Sequence, residues 1–249
     1  MKAMILAAGL GTRLRPLTND RPKALVEVAG RTMLEITIAR LRSFGVNELI
    51  VNVHHFAEEV VAYLRKHDNF GMRIEVSREE VLLDTGGGLK KAAWFFLEGG
   101  TQQPFLLHNV DVVSAIDLGA MTLAHGRSAA LATLAVQERR SSRQLLFDEG
   151  GWLCGRRAGG ADEIVQHSSH ALNPLAFCGI HVISPQLLKL MTEEGVFSII
   201  DTYLRLAARG QRMAAFRADE YYWRDLGKPD RLRQAARDFD SNMVGRALR

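Results

Sequence analysis

Only two cysteines, Cys154 and Cys178, occur in 249 residues. A pair so sparse offers no disulfide framework and no metal-ligand spacing, and it suits a reducing compartment. No apolar run is long enough to span a bilayer. The N-terminus enters an apolar strand directly rather than through a signal peptide. These absences predict a cytoplasmic protein with no membrane partner. Neither sign of charge dominates, since 32 Lys and Arg against 28 Asp and Glu leave a net +4 and a pI near 9.3. The basic residues are scattered rather than striped, which argues against nucleic acid and for an anionic small substrate. Internal repeats, linkers and low-complexity segments are missing too. With 47% hydrophobic and 24% charged residues, the chain is long enough for a sizeable core, and residues 1–249 are expected to form one domain.

What is present is a regular alternation of strand and helix signals. Ala3 to Leu6 is a short apolar run. Thr32 can cap a helix over about Met33–Phe44, with Leu34, Ile38 and Leu41 at helical spacing and Gly45 at its end. Strands are expected at Glu48–Val53, Met72–Ser77 and Phe105–Leu107, with helices at Ala57–Lys66 and about Leu89–Leu97. Such alternation predicts an α/β fold, a Rossmann-like, mostly parallel mixed sheet flanked by helices. From Asp117 the rhythm changes. A helix to about His125 and a strand over Ala130–Gln137 lead into 139–170, rich in Gly, Ser and Arg. That stretch reads as hairpins forming a small inserted β lobe, a lid or acceptor-side wall. Leu175–Ile183, Met213–Arg217 and Tyr221–Leu226 read as strands, Ser198–Arg209 and Pro229–Asp240 as helices. The last residues are expected to fray.

The stretch from Lys2 to Val28 organises the rest. Its apolar run breaks into Ala7, Ala8, Gly9 and Gly11, a turn that lets backbone N–H groups approach a ligand. Arg13, Arg15 and Lys23 follow. Backbone donors with fixed positive charge suit a polyphosphate, whose charge must be neutralised as it is desolvated. Two standard phosphate loops are excluded. No Gly-Lys-Ser/Thr follows at Walker spacing, and Gly9-Leu10-Gly11 lacks the third glycine of the dinucleotide fingerprint.

The string as a whole resembles the signature of the sugar-phosphate nucleotidyltransferases, Leu-Ala-Ala-Gly-x-Gly-Thr-Arg-x-x-Pro-Leu-Thr, then Pro-Lys-x-Leu and Val-x-Gly. Here these are Leu6 to Thr18, Pro22 to Leu25, and Val28 to Gly30. The resemblance covers nearly the whole chain. It implies a GT-A-like nucleotidyltransferase fold, transfer of a nucleoside monophosphate from an NTP to a sugar 1-phosphate, release of pyrophosphate, and a Mg²⁺ cofactor. Leu6, Ala7, Ala8, Gly9, Gly11 and Thr12 would then hold the nucleotide, with Arg13 and Lys23 as catalytic cations.

Asp111 and Asp225 are the metal ligands that the resemblance implies. Asp111 follows the strand Phe105–Leu107 in Asn109-Val110-Asp111, where the family usually has Asn-Gly-Asp. Asp225 lies in Trp223-Arg224-Asp225-Leu226-Gly227, like the family's Trp-x-Asp-x-Gly. Asp84-Thr85-Gly86-Gly87-Gly88 matches the family's base-binding turn. Gly179 resembles the glycine lying against the acceptor sugar, and Asn109 and Asn173 join it as candidate substrate contacts. His54 and His55 follow a strand with no acidic partner in view and read as helix-entry or packing residues.

Within the family, the compact length and the Asp84–Gly88 turn look most like the N-acetylmuramate 1-phosphate uridylyltransferases. Mannose- and heptose-1-phosphate guanylyltransferases carry nearly the same loops. The chain ends soon after Asp225, so no C-terminal hexapeptide-repeat domain is expected. The acceptor-side Glu-Lys-Pro of several relatives has no counterpart. If Asp84 points into the pocket, guanine fits better; if it caps the following helix, uracil does, and UTP is the favoured donor. A nucleotide-sugar-binding regulatory protein on the same fold is the non-enzymatic alternative. A monomer or small homo-oligomer is expected.

Overall fold

The computed structural model describes residues 1–100 and 102–240. The first half comprises β1 (Lys2–Leu6), β2 (Glu27–Val28), β3 (Arg31–Thr32), α1 (Met33–Ser43), β4 (Glu48–Val53), α2 (Ala57–Lys66) and β5 (Arg73–Arg78). Next come α3 (Asp84–Lys91), α4 (Ala93–Leu97), β6 (Phe105–Asn109), β7 (Val112–Ser114), α5 (Leu118–Ser128) and β8 (Ala132–Gln137). Three antiparallel strands, β9 (Arg143–Phe147), β10 (Leu153–Ala158) and β11 (Ala161–Ile164), precede the long β12 (Asn173–Ile183). The chain continues through α6 (Gln186–Leu190), α7 (Ile199–Ala208), β13 (Met213–Arg217), β14 (Trp223–Asp225) and α8 (Pro229–Asp240).

Local chemistry sets the helix starts. Thr32 accepts the Glu35 N–H at 3.1 Å before α1, and Asp117 accepts that of Ala120 at 2.9 Å before α5. Each pairing satisfies a backbone donor that a helix start leaves free. α2 turns three buried apolar residues, Val60, Val61 and Leu64, to the core.

Strand order in the main sheet is β11-β10-β9-β12-β6-β1-β4-β5, with β8 also pairing β12 and β13 pairing β8. β1 runs parallel to β4 and β6, and β4 to β5, whereas β12 is antiparallel to β6, β8 and β9. Alternation along β1 sends Ala3 and Ile5 to one face and Met4 to the other. The first face packs under α1, α2, α5 and α8, the second under α3, α4, α6 and α7. The β lobe expected at 139–170 holds β9, β10 and β11, which join the sheet through β12.

One irregularity places the site. β12 pairs β9 through Asn173–Leu175 and β6 through Ile180–Ile183, and its register with β8 shifts between Phe177 and His181. Residues 176–179 pair with neither β9 nor β6, and the sheet splits there beside Asn109, at the end of β6. Gly179 sits in the split with φ +75°, and a Cβ on it would lie 2.8 Å from Asn109 Nδ2.

The structure departs from expectation in four elements. The helix expected from Leu89 begins at Asp84, so Gly86, Gly87 and Gly88 are inside it, and it breaks at Ala92 into α3 and α4. α6 and β7 carry too few residues for a periodicity to show. Tyr221–Leu226 shortens to Trp223–Asp225, paired with β7. The terminal fraying expected beyond Asp240 lies outside the described residues.

Candidate active site

Three adjoining chambers open beyond the strand ends where β1, β4 and β6 stop. The first, about 340 Å³, is lined by Leu6, Ala8, Gly9, Lys23, Asn52, Leu82, Asp84, Thr85, Asn109, Val110, Asp111 and Val196. The second, about 470 Å³, joins it at Asn109 and Asp111 and holds Arg13, Gly179 and Asp225. A third, about 810 Å³, spreads under β9 and β10 and is bounded by Asn109, Phe177 and the start of α7. Ligand sites beyond carboxyl strand ends are the rule for this architecture.

The glycine-rich loop lies open. Among the described residues, the N–H groups of Ala8, Gly9, Leu10 and Gly11 have no intramolecular acceptor. Ala7 is different, because its N–H donates to Asn52 Oδ1 at 2.7 Å. Gly11, at φ +65°, packs against Thr18 and Lys23 rather than lining the first chamber, and Thr12 opens a one-turn 3₁₀ helix that presents Arg13. A Cβ on Gly227 would lie 2.8 Å from both Arg13 Nη2 and Asp225 Oδ1, so the guanidinium and carboxylate flank the same glycine.

Both candidate metal carboxylates face this cleft. Asp111 and Lys23 form a close ion pair, largely shielded from solvent. Asp225 takes the Gly227 N–H at 2.6 Å on one oxygen and Arg231 at 3.0 Å on the other. The two are brought together by backbone, since Leu226 donates to the Asp111 carbonyl at 2.8 Å and Asp225 pairs Val112. Two carboxylates beside open space, with phosphate oxygens and water to complete a shell, fit Mg²⁺, which keeps several waters. Arg231, contributed by α8, gave no sequence signal.

On the first chamber's floor, buried Glu79 accepts Asn52 Nδ2 at 2.6 Å and the Leu83 N–H at 2.9 Å. Glu79 and Asn52 thereby tie the glycine-rich loop to the loop before α3. Sequence reading passed over both, although an asparagine inside the apolar run Glu48–Val53 is a visible anomaly.

Asp84, at φ +59°, accepts the neighbouring Thr85 N–H at 2.6 Å and lines the chamber, and no side chain caps the start of α3. Gly86 and Gly87 do not offer their amides to the cleft. Both donate to the Phe197 carbonyl, at 2.9 and 3.3 Å, and both are buried. Their missing side chains make room for the Phe197 ring and the Gly195 carbonyl. Asn173 is also not brought to the cleft: it is exposed, opposite Phe147 at the far end of β12. His54 packs, its Nδ1 2.8 Å from the Glu79 carbonyl.

Beneath the site lie uncharged buried groups. Burial pushes His108 down to about 4 and His181 to about 3, the latter 2.8 Å from the Tyr203 hydroxyl. Burial likewise pushes the Cys178 thiol up to about 12, with Arg139 beside it pulling the other way.

An open, amide-rich loop followed by cations, facing paired carboxylates across a sheet crevice, defines a polyphosphate-handling transferase. The nucleotidyl transferase family model matches residues 2–145, and the chain belongs to that family. It is 37% identical to N-acetylmuramate alpha-1-phosphate uridylyltransferase of Caulobacter vibrioides, over 91% of this chain and 92% of that protein. It is 29% identical to a mannose-1-phosphate guanyltransferase of Yarrowia lipolytica over 92% of this chain, spanning 61% of that relative's length. Among solved structures, UDP-glucose pyrophosphorylase in complex with UDP-glucose superposes with a TM-score of 0.77, covering 97% of this chain and 98% of that one at 16% identity.

Proposed function

We propose that this protein transfers a uridylyl group from UTP to a sugar 1-phosphate, giving a UDP-sugar and pyrophosphate. The observation that carries the reading is the junction of the first two chambers at Asn109 and Asp111, with Arg13 and Asp225 on the far side. One oxygen of the acceptor's phosphate would attack the α-phosphorus in line, and the bond to the β-phosphate's bridging oxygen breaks. No protein nucleophile is required, so catalysis is positioning with charge stabilisation. The amides from Ala8 to Gly11 would bind phosphate oxygens, Lys23 would neutralise them, and Arg13 would meet the charge growing on departing pyrophosphate. Asp111 and Asp225 would hold Mg²⁺, which when bound supplies Lewis-acid polarisation of phosphoryl oxygens. Residues 1–249 would act as one domain, with 139–170 as the acceptor-side wall. Cys154 and Cys178, both buried free thiols, suit a reducing cytoplasm.

UTP is preferred over GTP because buried Glu79 accepts protein donors on both oxygens, and Asp84 already accepts one on Oδ1. Guanine's exocyclic amino group wants an acceptor of its own, whereas uracil does not. Pyrophosphate release measured across four NTPs and a panel of sugar 1-phosphates tests the reading. Turnover confined to UTP supports it; a clearly higher kcat/KM with GTP replaces it with a guanylyltransferase, the activity of the Yarrowia relative. No release with any pair leaves the regulatory protein.

A further inference from the structure

We infer that Arg139 holds the phosphate of the acceptor. The inference rests on the proposed reaction and names a residue that the glycine-rich loop and the carboxylate pair do not include. Arg139 lies two residues beyond β8 and lines the 470 Å³ chamber together with Asp111 and Asp225. Its guanidinium stacks on the Trp223 ring at 4.0 Å, and Nη2 donates to the Phe177 carbonyl at 2.8 Å. Trp223 is itself fixed, its indole N–H donating to the Cys178 carbonyl at 2.7 Å. Those two carbonyls lie at the irregularity of β12, where its register with β8 shifts between Phe177 and His181. The stack also couples Arg139 to β14, the strand that ends on Asp225.

Two features set this arginine apart from one that only packs. Among the described residues, Arg156, Arg157, Arg205, Arg217 and Arg231 each face a carboxylate, and Arg139 faces none. Its Nε is buried with no acceptor, an arrangement that does not favour stability. A planar guanidinium locked by stacking is well organised for phosphate, since little freedom remains to lose on binding. Position selects which phosphate. Arg13 and Lys23 reach the cleft from the glycine-rich side. Arg139 reaches it from the β8–β9 connection, bonded to Phe177, which also lines the 810 Å³ chamber. An oxygen held there leaves another oxygen of the same phosphate free to attack.

The test compares wild type with Arg139→Gln, which keeps a donor for the Phe177 carbonyl but loses the charge, and Arg139→Lys, which keeps the charge. KM for the sugar 1-phosphate should rise about 10–100-fold in Arg139→Gln, the scale of a lost charge-assisted contact, with partial recovery in Arg139→Lys. KM for UTP should stay within twofold. The melting temperature should not fall. An equal rise in KM for UTP, or an unchanged KM for the acceptor, overturns the assignment. Calorimetric titration of N-acetylmuramate 1-phosphate and glucose 1-phosphate into protein loaded with Mg²⁺ and a non-hydrolysable UTP analogue separates this from the reaction itself. Weaker binding to Arg139→Gln without wild-type turnover sinks the uridylyltransferase reading and keeps the phosphate contact. Equal binding to both proteins, or no binding to wild type, sinks the contact.

Discussion

At the scale of single residues, the proposed reaction gives Arg13 and Lys23 different roles, which kinetics should separate. Arg13 sits in a one-turn helix beside Asp225, exposed and without an ion pair among the described residues, whereas Lys23 is held on Asp111. Arg13→Ala should therefore lower kcat by about 10²–10³, with little change in KM for UTP, and Lys23→Ala should raise KM as well. Steady-state kinetics at saturating magnesium reads the split, and the reverse pattern exchanges the two roles. Asp111→Ala and Asp225→Ala should each abolish turnover while leaving the circular-dichroism spectrum unchanged. Near-wild-type activity in either variant removes that carboxylate from the metal site. The candidate residues were legible because they sit in contiguous strings, Leu6 to Lys23 and Trp223 to Gly227. Asn52, Glu79, Arg139 and Arg231 were not, because each reaches the cleft alone from a separate element and only the fold assembles them.

At the scale of elements, strands and helices with a clear apolar period emerged at or near their expected bounds, Glu48–Val53 and Ala57–Lys66 among them. The glycine run before Leu89 did not. Three consecutive glycines disfavour a helix by roughly 1 kcal/mol each relative to alanine, so a turn was the reasonable expectation. The helix forms because tertiary contact demands the glycines: Phe197 and Gly195 fill the space that side chains would occupy. Gly87→Ala, which sets a methyl group against the Gly195 carbonyl, should destabilise the protein by about 1–3 kcal/mol. Chemical denaturation checks this; a midpoint equal to wild type would mean that the 193–197 segment yields without cost.

At the scale of the whole molecule, the sheet buries three histidines as neutral rings. His108, His125 and His181 are each pushed down by burial, to about 4, 4 and 3. An unfolded histidine titrates near 6.5. Between about pH 6.5 and 4 the unfolded chain therefore binds protons that the folded one refuses. The folded state keeps its full advantage above 6.5 and loses it as pH falls, by at most roughly 1.4 kcal/mol per histidine per pH unit. Urea melts should show a clearly lower midpoint at pH 5 than at pH 7.5; equal midpoints would mean the rings protonate without unfolding. The α/β class followed from alternation along the sequence. The split in β12 could not, because it depends on three strands, β6, β8 and β9, pairing different stretches of one strand.

The loop before α3 has a further consequence, for inheritance. Leu83, Thr85, Gly86 and Gly87 are laced to residues 197–199 by four hydrogen bonds of 2.9–3.3 Å, and Lys90 reaches the Glu193 carbonyl. The two segments lie more than a hundred residues apart, yet each is bonded to the other. A donor loop from a relative with other residues at Gly86 and Gly87 would arrive without the surface it was moulded on. On the proposed function, in which the 82–90 loop meets the base, a change of nucleotide preference would require the discontinuous pair, 82–90 with 193–199, to be exchanged whole.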